Sequence, residues 1–203
     1  MPIQSLSRNT GKDLFHNMSK KTSFFIEALK DFKKVGSFFP SQPALIKKIV
    51  KLVKPADGMV IVELGAGKGP ITKALLGKMP AKSVLLVFEV KKEFADYLQR
   101  NVKDKRVRVI CDDARNAGKY LKGMKLGGAD YVVSAIPMGT SSAQENLQLL
   151  SAIKKMLKVG GVYIQFQYLL SSWREVKKVF GKSKIVSFVA NNVPPAFIYR
   201  CVK

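Results

Sequence analysis

The sequence predicts an α/β fold built on a largely parallel sheet. From residue 58 onward, short runs rich in β-branched and aromatic residues alternate with charged segments of helical periodicity. This alternation is typical of a parallel sheet that is covered by helices on both faces. The last two runs, 182–192 and 196–203, are separated only by a proline-containing turn. Strands that follow one another so closely pair antiparallel, so we expect an antiparallel hairpin at the end of the chain.

The predicted elements can be placed along the chain in order. Residues 40–54 carry Leu45, Ile49 and Val53 on one helical face and predict a core helix. Helical patterns also fill the intervals between the strands. The runs expected to form the five parallel strands are 58–64, 83–90, 106–110, 129–136 and 160–168.

Residues 20–34 predict an amphipathic helix with lysines at both ends. Phe25, Leu29 and Phe32 follow the i, i+4, i+7 spacing of one helical face. Such a helix either packs on the domain or lies in a lipid interface, with its lysines near anionic head groups. We therefore divide the chain into residues 1–40, a tail with a helix that can bind a membrane, and residues 41–203, the α/β domain.

The net charge restricts the partners of the chain. It carries 36 Lys and Arg against 14 Asp and Glu, a formal charge of +22. Such a charge attracts an anionic membrane surface, nucleic acid or acidic protein without choosing among them. Two cysteines and one histidine predict neither a disulfide framework nor a metal site. We see no apolar run long enough to span a membrane and no secretory signal, so we expect a cytoplasmic protein.

A glycine-rich stretch, VELGAGKGP, lies between a predicted strand and a predicted helix. Glycines permit a tight turn and let a ligand approach the backbone closely. The spacing differs from the Gly-x-Gly-x-x-Gly of dinucleotide sites and resembles motif I of S-adenosylmethionine (SAM)-dependent methyltransferases. The resemblance implies that Glu63, on the strand, helps hold the methionine part of SAM. The turn residues that it implies for the cofactor are Gly65, Ala66, Gly67, Gly69 and Pro70.

Two further acids stand where these methyltransferases contact the cofactor. Glu89 ends the second predicted strand, and the resemblance implies that its carboxylate accepts hydrogen bonds from the ribose hydroxyls. Asp113, followed by Ala114, comes just after the third strand, where an acid receives the adenine amino group. The same resemblance implies a Rossmann-like SAM methyltransferase fold with a seven-stranded sheet in the order 3-2-1-4-5-7-6, strand 7 being antiparallel.

The segment after the fourth strand predicts the methyl-acceptor side. Amino-directed DNA and adenine methyltransferases have Asn/Asp-Pro-Pro-Tyr or Asn-Leu-Pro-Tyr here, whereas this chain has Ser134, Ala135, Ile136 and Pro137. The amide and the aromatic side chain are missing here. This weakens the interpretation that the protein flips a base out of its strand, because an extruded base needs hydrogen bonds and stacking. We expect Ser134, Ile136 and Pro137 to border the cofactor.

From residue 24 to the end, the sequence resembles the bacterial phospholipid N-methyltransferases of the soluble, membrane-associated type. The resemblance implies methyl transfer from SAM to the amine of phosphatidylethanolamine and its mono- and dimethyl forms, toward phosphatidylcholine, with S-adenosylhomocysteine as the other product. It also implies a peripheral protein on the inner face of the cell membrane, whose helix at 20–34 binds anionic lipid. The resemblance rests on VGSFFPSQPAL, VELGAGKGPITKALL, VVSAIPM, GGVYIQFQY and NNVPPAFIYR.

The amine must be deprotonated before it attacks the methyl group, because an alkylammonium has a pKa of about 10. Candidates that orient its lone pair are Tyr168, Ser134 and the backbone carbonyls of residues 134–137. The alternative for Tyr168 is a half-buried strand aromatic whose hydroxyl contacts water.

Other residues are candidates for contacts with the substrate. Phe38, Phe39 and Tyr168 can offer aromatic faces to a cationic product, although such phenylalanines are more often core. Ser37 is a candidate for the SAM carboxylate or a substrate phosphate. Asn192 either lines the acceptor pocket or shapes the hairpin turn.

Two other classes of function stay open. An RNA adenine methyltransferase or a protein-lysine methyltransferase has the same fold, and the net charge favours RNA as much as anionic lipid. A SAM-binding protein without catalysis is the other alternative.

Overall fold

The computed structural model describes residues 43–192 and 194–203. The helix expected over residues 20–34, with Phe25, Leu29 and Phe32, lies outside the described residues. The candidates Ser37, Phe38 and Phe39 lie outside them as well.

Seven strands form one sheet. The five parallel strands and the terminal hairpin occupy β1 (Val60–Leu64), β2 (Val84–Phe88), β3 (Val107–Ile110), β4 (Ala129–Ser134), β5 (Leu157–Gln167), β6 (Ser183–Val189) and β7 (Ala196–Val202). Their order across the sheet is β3-β2-β1-β4-β5-β7-β6. Strands β1 to β5 pair in parallel, and β7 pairs antiparallel with both β5 and β6. The predicted α/β fold, strand order and antiparallel hairpin are confirmed.

Helices cover the sheet on both faces. They are α1 (Pro43–Leu52), α2 (Pro70–Leu76), α3 (Lys92–Asn101), α4 (Ala117–Gly123), α5 (Ala143–Met156) and α6 (Trp173–Phe180). Helix α5 begins with a capping box, in which the Ser142 hydroxyl accepts from the Glu145 N–H while the Glu145 carboxylate accepts from the Ser142 N–H. These reciprocal bonds satisfy donors that a helix start leaves unpaired, so they fix where α5 begins.

Two apolar clusters hold the helices to the sheet. One joins α1, α2 and α3 to one face, and the other joins α4, α5 and α6 to the opposite face. Neighbouring residues of β5 show the alternation, because Tyr163 belongs to the second cluster and Ile164 to the first. Each fully buried side chain of this size contributes about 1.5–3 kcal/mol relative to exposure.

Strand β5 begins at Leu157, earlier than the expected residue 160. Its pairing with β4 is interrupted, since Ala129 pairs with Leu157 whereas Tyr131 pairs with Val162. Extra residues on one strand form a bulge of the kind that redirects a strand locally. The first residues of the strand, Leu157, Lys158 and Val159, are followed by Gly160 and Gly161, and these glycines hid its start from the sequence pattern.

The described part of the chain lacks a membrane-spanning helix and a cluster of metal ligands. Among residues 43–192 and 194–203, no helix is long and apolar enough to cross a membrane. The same residues contain no group of three or more His, Cys, Asp or Glu side chains that could hold a metal ion.

Candidate active site

The candidate site is a cleft at the carboxyl edge of the sheet, where loops follow β1 to β4. The carboxyl ends of parallel strands meet at one edge, and ligands of open α/β sheets bind there. The cleft has a volume of about 200 Å³. The sequence candidates that line it are Gly65, Glu89, Asp113, Ala114 and Ile136. The structure therefore brings together residues from four separate strand ends.

The glycine turn has a backbone that only glycine adopts without strain. Gly65, Gly67 and Gly69 have φ values of 74°, 56° and 78°, in the left-handed region. A Cβ at Gly69 would lie 2.5 Å from Cδ2 of Leu98, whereas one at Gly67 would meet no protein atom within 4 Å. Gly69 is therefore required by packing, and Gly67 leaves open space for a ligand against the backbone.

Glu89 fastens the glycine turn to the end of β2. Its buried carboxylate accepts hydrogen bonds from the backbone N–H of Gly67 at 2.8 Å and of Lys91 at 3.0 Å. A carboxylate has about four acceptor sites, so these two bonds leave capacity for two hydroxyl donors. That capacity fits the ribose of SAM.

Glu63 is buried and has one unpartnered oxygen. Its Oε2 accepts from the Thr72 hydroxyl at 2.7 Å, while Oε1 has no hydrogen-bond partner. Burial raises the pKa of this carboxyl to about 8, although the hydrogen bond from Thr72 lowers the pKa in part. A buried acceptor without a partner is costly, and a cationic donor such as the ammonium group of SAM would satisfy it. Glu63 does not line the cleft but faces helix α2.

The two aspartates after β3 have different surroundings. Asp112 accepts from the Asn116 amide at 3.0 Å and the Tyr120 hydroxyl at 2.9 Å, and these bonds lower its pKa. Asp113 lies at the rim of the cleft and pairs with Arg115, whose Nη2 is 2.5 Å from Oδ2, and this guanidinium lowers the pKa of Asp113. Asp112 thus holds the loop, and Asp113 presents an ionised carboxylate to the cleft.

A buried amide network supports the loop after β4. The carbonyl of Ile136 accepts from the side-chain amides of Gln165 at 3.0 Å and Gln167 at 2.9 Å. Gln165 in turn accepts from the Tyr163 hydroxyl at 2.6 Å, and Ser134 Oγ accepts from the Ile136 N–H at 3.3 Å. Sequence reasoning missed both glutamines, although two amides at alternate positions of a buried strand were a usable signal.

The candidates Tyr168 and Ser134 lie on opposite faces of the sheet. Tyr168, just beyond β5, is half-buried beside Phe166, with ring centroids 5.8 Å apart, and burial raises the pKa of its hydroxyl. Ser134 is buried on the other face, where it hydrogen-bonds Tyr163. The structure does not bring these two side chains together.

The remaining candidates lie around the cleft without lining it. They are Ala66, Gly67, Gly69, Pro70, Ser134 and Pro137. Asn192 is buried in the hairpin turn, where its amide donates to the Pro194 carbonyl at 2.6 Å. This contact shapes the turn.

Sequence reasoning missed several residues that line the cleft. They are Phe88, Val90, Asp112, Arg115, Ser141, Glu145, Asn146 and Leu149. Most belong to the loop and first turns of α5, or flank a predicted acid. The Ser142-x-x-Glu145 capping box was the available signal, because it marks a helix start directly after the fourth strand.

Comparison with known proteins identifies relatives of two kinds. The sequence profile of the family described as ribosomal RNA adenine dimethylase matches residues 29–157. The ornithine lipid N-methyltransferase of Singulisphaera acidiphila is 28% identical over 182 residues, which are 88% of this chain and 95% of that protein. The ribosomal RNA small subunit methyltransferase A of Acidithiobacillus ferrooxidans is 33% identical over 82 residues, 40% of this chain and 30% of that protein.

A solved structure with a bound cofactor shares the fold. The 16S rRNA methyltransferase of T. thermophilus, in complex with AdoMet (SAM) and guanosine, superposes with a TM-score of 0.58 at 20% identity. The match covers 80% of this chain and 39% of that one.

The residues of this chain fit SAM, which is its cofactor. Glu63 offers a buried unpartnered oxygen for an ammonium group, and Gly67 leaves the turn open. Glu89 and Asp113 place two carboxylates in the cleft for hydroxyl and amino donors. With the profile match over residues 29–157, the chain belongs to the ribosomal RNA adenine dimethylase family of SAM-dependent methyltransferases.

Proposed function

We propose that the protein is an N-methyltransferase that acts on the amine of phosphatidylethanolamine and its mono- and dimethyl forms. The observation that carries this proposal is the end-to-end match with an ornithine lipid N-methyltransferase, over 88% of this chain and 95% of that protein. The rRNA methyltransferase from Acidithiobacillus matches over only 30% of its length. We place the enzyme in the cytoplasm, bound peripherally to the inner face of the cell membrane.

Exposed apolar side chains at the carboxyl edge support a lipid substrate. Val90 lines the cleft and is 69% exposed, and Leu170 and Phe188 are 40% and 51% exposed. Leu170 follows the end of β5, and Phe188 pairs with Phe197 at the start of β7, which pairs with the end of β5. Apolar side chains exposed beside a site are found on surfaces that contact lipid or a partner, although Met124, Val159, Ile185 and Val186 are exposed as well.

The chain must present a neutral amine to the methyl donor. When bound, SAM supplies an electrophilic methyl group on a sulfonium sulfur. The substrate ammonium, with a pKa of about 10 in water, gives its proton to bulk water as it leaves the solvent, since the desolvated site disfavours the charged form. The neutral nitrogen could then take the methyl group from the sulfonium, which would leave as the thioether.

Hydrogen bonds within the loop after β4 indicate which groups orient the amine. The Ile136 carbonyl already accepts two amide donors, which occupies both of its lone pairs. The Pro137 carbonyl accepts a bond from the Thr140 hydroxyl at 3.1 Å and caps the 3₁₀ turn over residues 138–140. Tyr168 stays protonated because burial raises its pKa. A protonated Tyr168 can orient the amine but cannot act as its base, and the described cleft lining does not include it.

RNA adenine methylation is the second candidate function. The family profile and the 33% identical rRNA methyltransferase favour it, and a charge of +22 suits a phosphate backbone. Against it, the loop after β4 has Ser134 and Pro137 at the positions where adenine methyltransferases with Asn-Leu-Pro-Tyr carry the amide and the stacking aromatic.

To test the proposal, the enzyme is incubated with radiolabelled SAM in three parallel reactions, which contain phosphatidylethanolamine vesicles, structured rRNA or protein as the acceptor. We expect label in the organic extract of the lipid reaction. We expect the Asp113→Ala variant to bind SAM more weakly, so it should lower that label at limiting SAM. Label confined to RNA or protein would overturn the lipid proposal. No label on any acceptor, with SAM binding intact by calorimetry, would indicate a binding protein without catalysis.

A further inference from the structure

A second and larger groove lies between helices α4 and α5, beside the cofactor cleft. Its volume is about 1100 Å³, and Arg115 lines both spaces. The groove exceeds the range of roughly 300–1000 Å³ that is usual for small-molecule sites. We call it the α4–α5 groove.

The rim of the α4–α5 groove is strongly cationic. It is formed by Arg115, Lys119, Lys122, Lys125 and Lys155, and the described lining residues include no Asp or Glu. Arg115 pairs with Asp113, but within the described residues none of the four lysines forms an ion pair. Uncompensated lysines that converge on one concave surface attract an anion.

The floor of the groove is mostly apolar. Leu121 of α4 and Leu147, Ala152 and Met156 of α5 line it. Ala152 and Met156 lie four residues apart on one helical face, and Gln144, Gln148 and Ser151 line the groove around Leu147, so apolar patches and polar groups share the floor beneath the lysines. A ligand that fits both parts has an anionic head and an apolar body.

From this combination we infer that the α4–α5 groove binds an anionic phospholipid. Its phosphate lies at the lysine rim, and the first part of its acyl chains lies on the floor. An RNA strand is the less suitable occupant, because the described lining residues include no aromatic side chain on which a base can stack. The inference goes beyond the proposed function, since this lipid needs no amine and is not the methyl acceptor.

The first experiment measures binding of soluble probes to the full chain by calorimetry, without SAM. The probes are dihexanoyl phosphatidylglycerol below its micelle concentration, dihexanoyl phosphatidylcholine and glycerol 3-phosphate. We expect phosphatidylglycerol to bind at least tenfold tighter than either of the others, because only it combines net negative charge with acyl chains. Equal affinity for glycerol 3-phosphate would overturn the lipid assignment in favour of a phosphate site.

Matched variants locate the binding. Lys119→Gln, Lys122→Gln and Lys155→Gln together should weaken phosphatidylglycerol binding at least tenfold. The control, Lys47→Gln, Lys51→Gln and Lys54→Gln, removes the same charge from exposed positions in or next to α1 and should leave the affinity unchanged. Equal loss in both triple variants would show diffuse attraction and overturn the proposal.

A steric variant separates the groove from its charge. Ala152→Phe fills the floor while keeping every lysine, and it should abolish phosphatidylglycerol binding with an unchanged melting temperature. Unchanged binding would overturn the proposal. So would competition in which an RNA hairpin, not phosphatidylglycerol, depends on the three groove lysines. Because the probe carries no amine, these outcomes are independent of whether phosphatidylethanolamine is methylated.

Discussion

Glu63 and Thr72 are joined by a buried hydrogen bond of 2.7 Å, which reaches from the start of helix α2 to strand β1. The bond satisfies one oxygen of Glu63 and leaves the other buried without a partner. Burial raises the pKa of Glu63 to about 8, so this carboxyl is largely protonated at neutral pH in the free protein. A cation beside Glu63 would lower its pKa and favour release of the proton.

The raised pKa predicts how stability depends on pH. Between pH 4.5 and about 8, the two pKa values that bracket Glu63, the folded protein holds a proton that the unfolded chain has released. The free energy of unfolding should therefore fall as pH rises through this window. Glu63→Gln removes the titration, so urea unfolding should show a steeper decline for the wild type than for the variant. Parallel curves would contradict the burial of this carboxyl.

Cofactor binding should be linked to the same proton. Calorimetry at pH 7 in two buffers of different ionisation enthalpy should detect proton release when SAM binds to the wild type. In Glu63→Gln this release should be lost and affinity reduced about tenfold, or about 1.4 kcal/mol. Identical proton release in both proteins would mean that Glu63 does not meet the cofactor ammonium.

Two glycine substitutions separate packing from binding. Gly69→Ala places a Cβ 2.5 Å from Cδ2 of Leu98, and such overpacking costs about 1–3 kcal/mol in urea unfolding, in addition to the left-handed strain of about 1–2 kcal/mol at its φ of 78°. Against a Leu98→Ala background the same change should cost less. Gly67→Ala meets no protein atom, so its stability loss should stay near the 1–2 kcal/mol of left-handed strain. Its SAM affinity should fall sharply, and retained affinity would contradict the position of the cofactor.

The sequence predicts the fold well because the alternation of short apolar runs and helices is a local pattern. The cleft could be anticipated at Gly65, Glu89 and Asp113, since each directly follows a strand. The support of Ile136 by Gln165 and Gln167 could not be anticipated. These two hydrogen bonds join residues that are separated by 29 and 31 positions in the sequence. The start of β5 was misplaced for a related reason, as pairing with β4 rather than local propensity determines it.

The amide network predicts unequal effects of its two glutamines. Gln165→Leu removes the 2.6 Å acceptor of the buried Tyr163 hydroxyl and the amide donor to the Ile136 and Phe166 carbonyls, which should cost about 1–3 kcal/mol in unfolding free energy. Gln167→Leu removes only one donor to Ile136 and should cost less stability. Both should lower SAM affinity, because Ile136 lines the cleft, and should also lower kcat if the same loop borders the methyl acceptor, as the proposed function requires. Equal stability loss would contradict the network.

The proposed membrane attachment can be tested at residues 25 and 29, which lie outside the described residues. Phe25→Glu with Leu29→Glu should abolish flotation with anionic liposomes if the helix over residues 20–34 lies in the interface. The matched control, Lys47→Glu with Lys51→Glu, lowers the net charge further but leaves these apolar residues, and should retain flotation. Equal flotation of the Phe25 and Leu29 variant would refute the interfacial helix.

The most direct measurement places both acceptor classes in competition. Phosphatidylethanolamine vesicles and rRNA are incubated in one reaction with the enzyme and labelled SAM, and label is counted after phase extraction. We predict that it partitions with the lipid and appears on the amine in mass spectra. Label that stays with the RNA would contradict the proposed lipid substrate while leaving the family and cofactor intact.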